Sequence, residues 1–102
     1  MAREVAWLRA AVADLEEIGN YIGGDSPSYA KVVVNKLYDA TLELQRFPHI
    51  GGAVPEWNDD RYRQRIVYSY RLIYRIISDE RIEILTIIHG ARLLPSDLRE
   101  RR

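Results

Sequence analysis

Residues 61–75 read RYRQRIVYSYRLIYR, with five arginines, four tyrosines and no acid. Charged and apolar side chains alternate through this stretch, and a period of two is the signature of a strand with two unlike faces. Tyrosine, isoleucine and valine are also the residues that pleated surfaces favour. The spacing predicts one strand over Arg63–Tyr68 and a second over Tyr70–Ser78. In the second, Tyr70, Leu72, Tyr74 and Ile76 share one face, while Arg71, Ile73, Arg75 and Ile77 share the other. Asp79-Glu80 turns the chain, and IEILTIIH, Ile82–His89, follows as a third strand. Its two faces are both largely apolar, so it should be central in a sheet.

Towards the N-terminus the periodicity changes. Glu4–Leu8 (EVAWL) is a short apolar strand. In the next segment Ala11, Leu15, Ile18 and Ile22 recur every three or four residues, which paints one face of a helix. Asp14, Glu16 and Glu17 lie in its first half, the end that favours acids. Gly23-Gly24 should close it in the left-handed conformation open to glycine. Ser26 can cap a second helix, and Pro27 suits a first helical position. Ala30, Val33, Leu37, Ala40, Leu44 and Phe47 then extend that helix over about 27–46, until Pro48 stops it. So short a connection makes the two helices an antiparallel hairpin. Residues 47–60 (FPHIGGAVPEWNDD) have no period and form a long ordered loop. The order is β-α-α-β-β-β. The prediction is an α+β fold, an N-terminal strand and a helical hairpin followed by a three-stranded antiparallel meander, in a single domain spanning 1–102.

Composition narrows the function. The chain has 102 residues, 15 basic and 15 acidic side chains and no cysteine. Neutral charge argues against indiscriminate coating of nucleic acid, and disulfides and cysteine-ligated metals are excluded. No His, Asp or Glu pair has metal-ligand spacing, and nothing calls for a cofactor. The N-terminus lacks a long apolar run and turns acidic early, so neither a signal peptide nor a membrane span is expected, and the cytoplasm is the expected compartment. Thirteen of the 15 bases are arginine, whose planar fork matches phosphate or carboxylate. Arginine-rich codon usage would account for the total but not for the cluster at 61–75.

Several stretches, in this order, carry a resemblance. They are DLEEIGNYI in the first helix, DSPSYA at the start of the second, FPHIGGAVPE in the loop, YRLIYRI, and the strand end ILTIIHGAR. Together they span nearly the whole chain, and the sequence resembles the RelE/ParE superfamily of toxins from bacterial toxin–antitoxin pairs. The DSP helix start, the FP…G…VPE loop and the HGAR ending look more like the ParE branch and its plasmid-stabilisation relatives. That resemblance implies a growth-inhibiting toxin held silent by a cognate antitoxin, ParD-like or similar, with DNA gyrase as the target. The RelE branch implies instead a ribosome-dependent endoribonuclease acting on messenger RNA.

Such a nuclease needs a base, an acid and cations around the phosphate. By resemblance, Arg63 and Arg65 fall on the basic pair of the strand before YRL, where the RelE pattern prefers lysine. Arg71 is the arginine within YRL, and Arg92 follows the last strand. The RelE pattern has a tyrosine six residues further on, where this chain has Leu98, which can move no proton. Arginine at the basic pair is also a poor base. His89 is the remaining acid–base candidate, although its commoner use would be to cap the strand end, and His49 reads as structural. The nuclease set would therefore be Arg65, Arg71, His89 and Arg92. For an inhibitor, Arg63, Arg65, Arg71, Arg75 and Arg92 would form a target-binding basic patch. If the strand registers agree, four of these arginines line one face, unless Glu83 on the adjacent strand neutralises them. Antitoxin contacts are expected at Tyr29, Val32, Val34, Tyr38 and Trp57, by helix-in-groove docking or strand addition.

Overall fold

The computed structural model describes residues 3–102. Strand β1 (Glu4–Trp7) leads into helix α1 (Arg9–Gly23), and α2 (Pro27–Glu43) returns antiparallel to it. The two-residue strand β2 (Gly52–Ala53) precedes β3 (Tyr62–Val67), β4 (Tyr70–Ser78) and β5 (Arg81–His89), and a 3-10 turn at Leu98–Glu100 lies near the C-terminus. The strands form one sheet in the order β1-β5-β4-β3-β2. The expected meander of β3, β4 and β5 is present, and β5 is central as predicted. β1 joins β5 in parallel, so the sheet is mixed rather than antiparallel throughout.

The core lies between the helical hairpin and the sheet. Val33, Leu37 and Ala40 of α2 and Leu44 just beyond its end share one buried cluster with Leu72, Tyr74, Ile84 and Ile87. Full burial of each of the Val, Leu and Ile side chains stabilises by about 1.5–3 kcal/mol. Leu85 has no partner on β4, because Ile73 pairs with Thr86 and Tyr74 with Ile84. This bulge lets four consecutive residues, Ile84 to Ile87, all be buried.

Two helix ends differ from expectation. Gly24 closes α1 at φ −59°, in right-handed rather than left-handed geometry. The chain leaves instead through Ser26, at φ −149°, whose Oγ accepts from the N–H of Tyr29 at 3.2 Å. α2 ends at Glu43, short of the expected 46, because the N–H groups of Leu44, Gln45 and Arg46 turn to carbonyls three residues back. Among the described residues no helix is long and apolar enough to cross a membrane.

Candidate functional site

The register of β3 on β4 decides where the arginines go. Arg63 lies opposite Tyr74 and Arg65 opposite Leu72, whereas Arg71 lies opposite Ile66 and Arg75 opposite Tyr62. Paired residues share a face, so the four arginines do not line one patch. Arg63 and Arg65 are on the face under the helices, and Arg71 and Arg75 are on the other. The expectation of a single basic face fails because the turn takes two residues, Tyr68 and Ser69, and the strand ends at Val67. A slip of one residue turns every side chain over.

Each of the four has internal partners. Arg63 donates to the carbonyls of Gly51 at 2.9 Å and His49 at 3.5 Å. Arg65 pairs with Glu43 at the end of α2, at 2.7 Å. Arg71, buried, forks onto both carboxylate oxygens of Glu56 at 2.8 Å and reaches Gln64 through Nε. This bond holds the Glu56 carboxyl below its ordinary range and raises Arg71 further. Arg75 pairs with Glu83 at 2.6 Å and also donates to the carbonyls of Arg99 and Arg101. Burial works against ionisation of Glu83, but hydrogen bonds from Arg75 and Arg81 outweigh it and keep its carboxyl below the usual range. The internal neutralisation through Glu83 is therefore real: of the five expected patch residues, Arg65, Arg71 and Arg75 are ion-paired and Arg63 is bonded to carbonyls, which leaves Arg92 with neither kind of partner among the described residues.

The loop after α2 is held from beneath by Tyr74. Its hydroxyl donates to the Pro48 carbonyl at 2.7 Å and accepts from the Gly51 N–H at 3.1 Å. Burial raises the pKa of this phenol. A Cβ at Gly51 would lie 2.6 Å from the Gln64 carbonyl and 2.7 Å from the Tyr74 hydroxyl, so the position takes only glycine without a shift.

A cleft of about 650 Å³ opens between α1 and the end of β5, lined among others by Asp14, Glu17, Tyr21, Tyr70, His89 and Arg92. The Asp14 carboxylate accepts from Thr86 Oγ1 at 2.5 Å and from Arg101 at 2.7 Å, closing one end. His89 Nδ1 accepts from the Ala91 N–H at 3.1 Å, the capping role, and its ring meets Tyr70 edge-on at 5.6 Å. The cleft thus gathers His89 and Arg92. Arg65, although on the same face as His89, is tied to Glu43, and Arg71 on the opposite face is locked to Glu56, so the four nuclease candidates are not gathered around one centre. Leu98 is fully buried in the core. No group of three or more His, Cys, Asp or Glu that could hold a metal occurs among the described residues.

Of the expected antitoxin contacts, Tyr29, Val32 and Tyr38 are exposed. Val34 and Trp57 are half-buried, so less of each is open to a partner than expected. Val34 packs where α1 passes at Gly19. Trp57 sits edge-on to Tyr62 at 5.0 Å, with the Arg99 guanidinium 5.2 Å from its ring. At about 100° per residue, Tyr29 and Val32 lie on one flank of α2 and Tyr38 on the other. The sequence reading missed Tyr21 and Glu56. Tyr21 lies seven residues after Asp14, on the same helical stripe, which was the available signal; for Glu56 there was none, since loop and strand meet only in the fold.

A family model described as the ParE toxin of type II toxin-antitoxin system, parDE, matches residues 5–94. The chain is 31% identical to Toxin RelE2 of Caulobacter vibrioides over 90 residues, 88% of this chain and 98% of that protein. Among solved structures, the chromosomal ParDE system of P. aeruginosa superposes with a TM-score of 0.70 at 23% identity, covering 86% of this chain and 96% of the other. A mutant of E. coli toxin RelE in the free state superposes with a TM-score of 0.66 at 16% identity, covering 99% and 94%. These structural likenesses show the fold.

Proposed function

The chain belongs to the ParE toxin family of type II toxin–antitoxin systems, within the RelE/ParE superfamily, and from that premise we propose a ParE-like toxin that acts by binding DNA gyrase, not by catalysis. A cognate ParD-like antitoxin neutralises it by direct binding, and both act in the cytoplasm. The observation that carries this reading is the scattering of the nuclease candidates. Arg65 is paired with Glu43 on one face of the sheet, Arg71 with Glu56 on the other, and His89 and Arg92 lie in the cleft. A phosphate-cleaving site needs its acid, base and cations around one reacting centre. Within the basic set, Arg92 is the residue we assign to target contact, while Arg63, Arg65, Arg71 and Arg75 act mainly by holding the fold. Tyr29, Val32 and Tyr38 are the antitoxin contacts we assign on α2.

The second reading, messenger RNA cleavage at the ribosome, draws support from one feature. His89, Tyr70 and Arg92 share a cleft, and His89 Nε2 makes no hydrogen bond among the described residues. Induction of the chain without antitoxin, with pulse labelling of DNA and protein synthesis, separates the two. Early loss of DNA synthesis with filamentation supports gyrase inhibition, to be matched by loss of supercoiling with purified components. Early loss of translation with cleaved ribosome-bound messages replaces it with the nuclease reading.

A further inference from the structure

The loop after α2 is braced below and bare above. From beneath, Tyr74 and Arg63 bond the carbonyls of Pro48, His49 and Gly51 and the N–H of Gly51. From above, Phe47 is 54% exposed and Ile50 48% exposed. Between them lies an open depression of about 460 Å³, lined by Arg46, Phe47, Pro48, His49 and Ile50. The Arg46 guanidinium stands 5.5 Å from the centre of the Phe47 ring. The nearby carboxylate of Glu43 is taken by Arg65 at 2.7 Å. The rim is therefore positive, with no acid among its own residues.

A loop ordered in advance loses little entropy on docking, and apolar side chains exposed on a rigid base are the usual anchors of recognition. We propose that Arg46–Ile50 is a docking site for the toxin's protein target in addition to the contact assigned to Arg92, receiving an apolar side chain flanked by carboxylates on a folded surface. This rests on the toxin reading above. The depression is preformed, so the partner supplies a knob and not a segment that must fold. Beside it, the two-residue edge strand β2, paired with β3 at Arg63 and Gln64, offers strand addition by an antitoxin only a short edge. Nucleic acid is disfavoured because Arg63 points into the loop, leaving Arg46 as the rim's one arginine.

The test uses the full chain, expressed without antitoxin and scored by surviving colonies, with antitoxin copurification as the check on folding. The variants are the double Phe47→Ser, Ile50→Ser and the single Arg46→Glu. Each should raise survival roughly tenfold or more while still copurifying with antitoxin. If the wild-type chain does not arrest growth, the toxin reading fails and the loop assignment falls with it. If the wild type arrests growth and both variants do so equally, the loop assignment alone is overturned. It is also overturned if the double variant arrests growth but loses antitoxin, since the loop is then an antitoxin contact. Should the double variant lose both properties through misfolding, Arg46→Glu decides, because its side chain is exposed and bears no core contact.

Discussion

At the scale of single residues, close approach and charge pairing set the constraints. Gly51 lies so near the Gln64 carbonyl and the Tyr74 hydroxyl that an added methyl has no room. Gly51→Ala should cost about 1–3 kcal/mol, measured by urea unfolding; an unchanged midpoint would mean that the loop yields freely. Glu56 makes a second, pH-dependent case. Its folded pKa is lowered from 4.5, so its contribution is present above that value and lost as pH falls through the folded one. Glu56→Gln should therefore be less stable than wild type near neutral pH, and the gap should close as pH falls below 4.5 and through the lowered folded value. Thermal melts across that range check the sign, and a constant gap would exclude the linkage. The carboxylate is partly exposed, so solvent screens the effect. Of these constraints, the sequence shows only that Gly51 is a glycine in a loop. What crowds it comes from residues more than ten positions away.

At the scale of elements, the β3–β4 hairpin is the most instructive. Tyr68 occupies the first central position of its two-residue turn with φ 54°, the one non-glycine positive φ among the described residues. An L-residue there is strained by about 1–2 kcal/mol, and glycine is the natural occupant. Tyr68→Gly should raise stability by up to about 1 kcal/mol; a fall in melting temperature would show that the ring makes contacts worth more than the strain. This turn also explains what was legible in the sequence. The helices were readable because Ala11, Leu15, Ile18 and Ile22, and Val33, Leu37, Ala40 and Leu44, repeat locally, and Ser26-Pro27 marks a start. The strands were readable from alternation. The facing of Arg63 and Arg65 against Arg71 and Arg75 was not, because it depends on turn length. A tyrosine gives no sign that it will take a position suited to glycine, so the strand was placed one residue late, at Arg63–Tyr68 instead of Tyr62–Val67. β2, with two residues, offers no period at all.

For the whole molecule, the C-terminal segment completes the structure. Leu98 is buried to 0% exposure, and Arg75 holds the carbonyls of Arg99 and Arg101. Leu98→Ala should cost about 2–5 kcal/mol in chemical denaturation; a loss well under 1 kcal/mol would mean that the tail is not part of the core. Periodicity anticipated the β-α-α-β-β-β order and the two apolar faces of Ile82–His89 anticipated an interior β5, and the RelE/ParE resemblance read from five ordered stretches agrees with that architecture. It did not anticipate that the position of the RelE tyrosine would become a core anchor. That outcome depends on where the tail docks, a contact between segments distant in the chain.

The parallel pairing of β1 with β5 sets Glu4 opposite Arg81, joining the start of the chain to a strand near its end. During synthesis at roughly 5–20 residues per second, β1 emerges seconds before its partner exists. The helical hairpin can close early, since its contacts are local, but the sheet that backs it cannot. A chain abandoned before Arg81 lacks the central strand and so cannot build this fold. Manufacture of the fold is in this sense all-or-none: a ribosome that stalls before β5 releases a chain whose sheet cannot be completed.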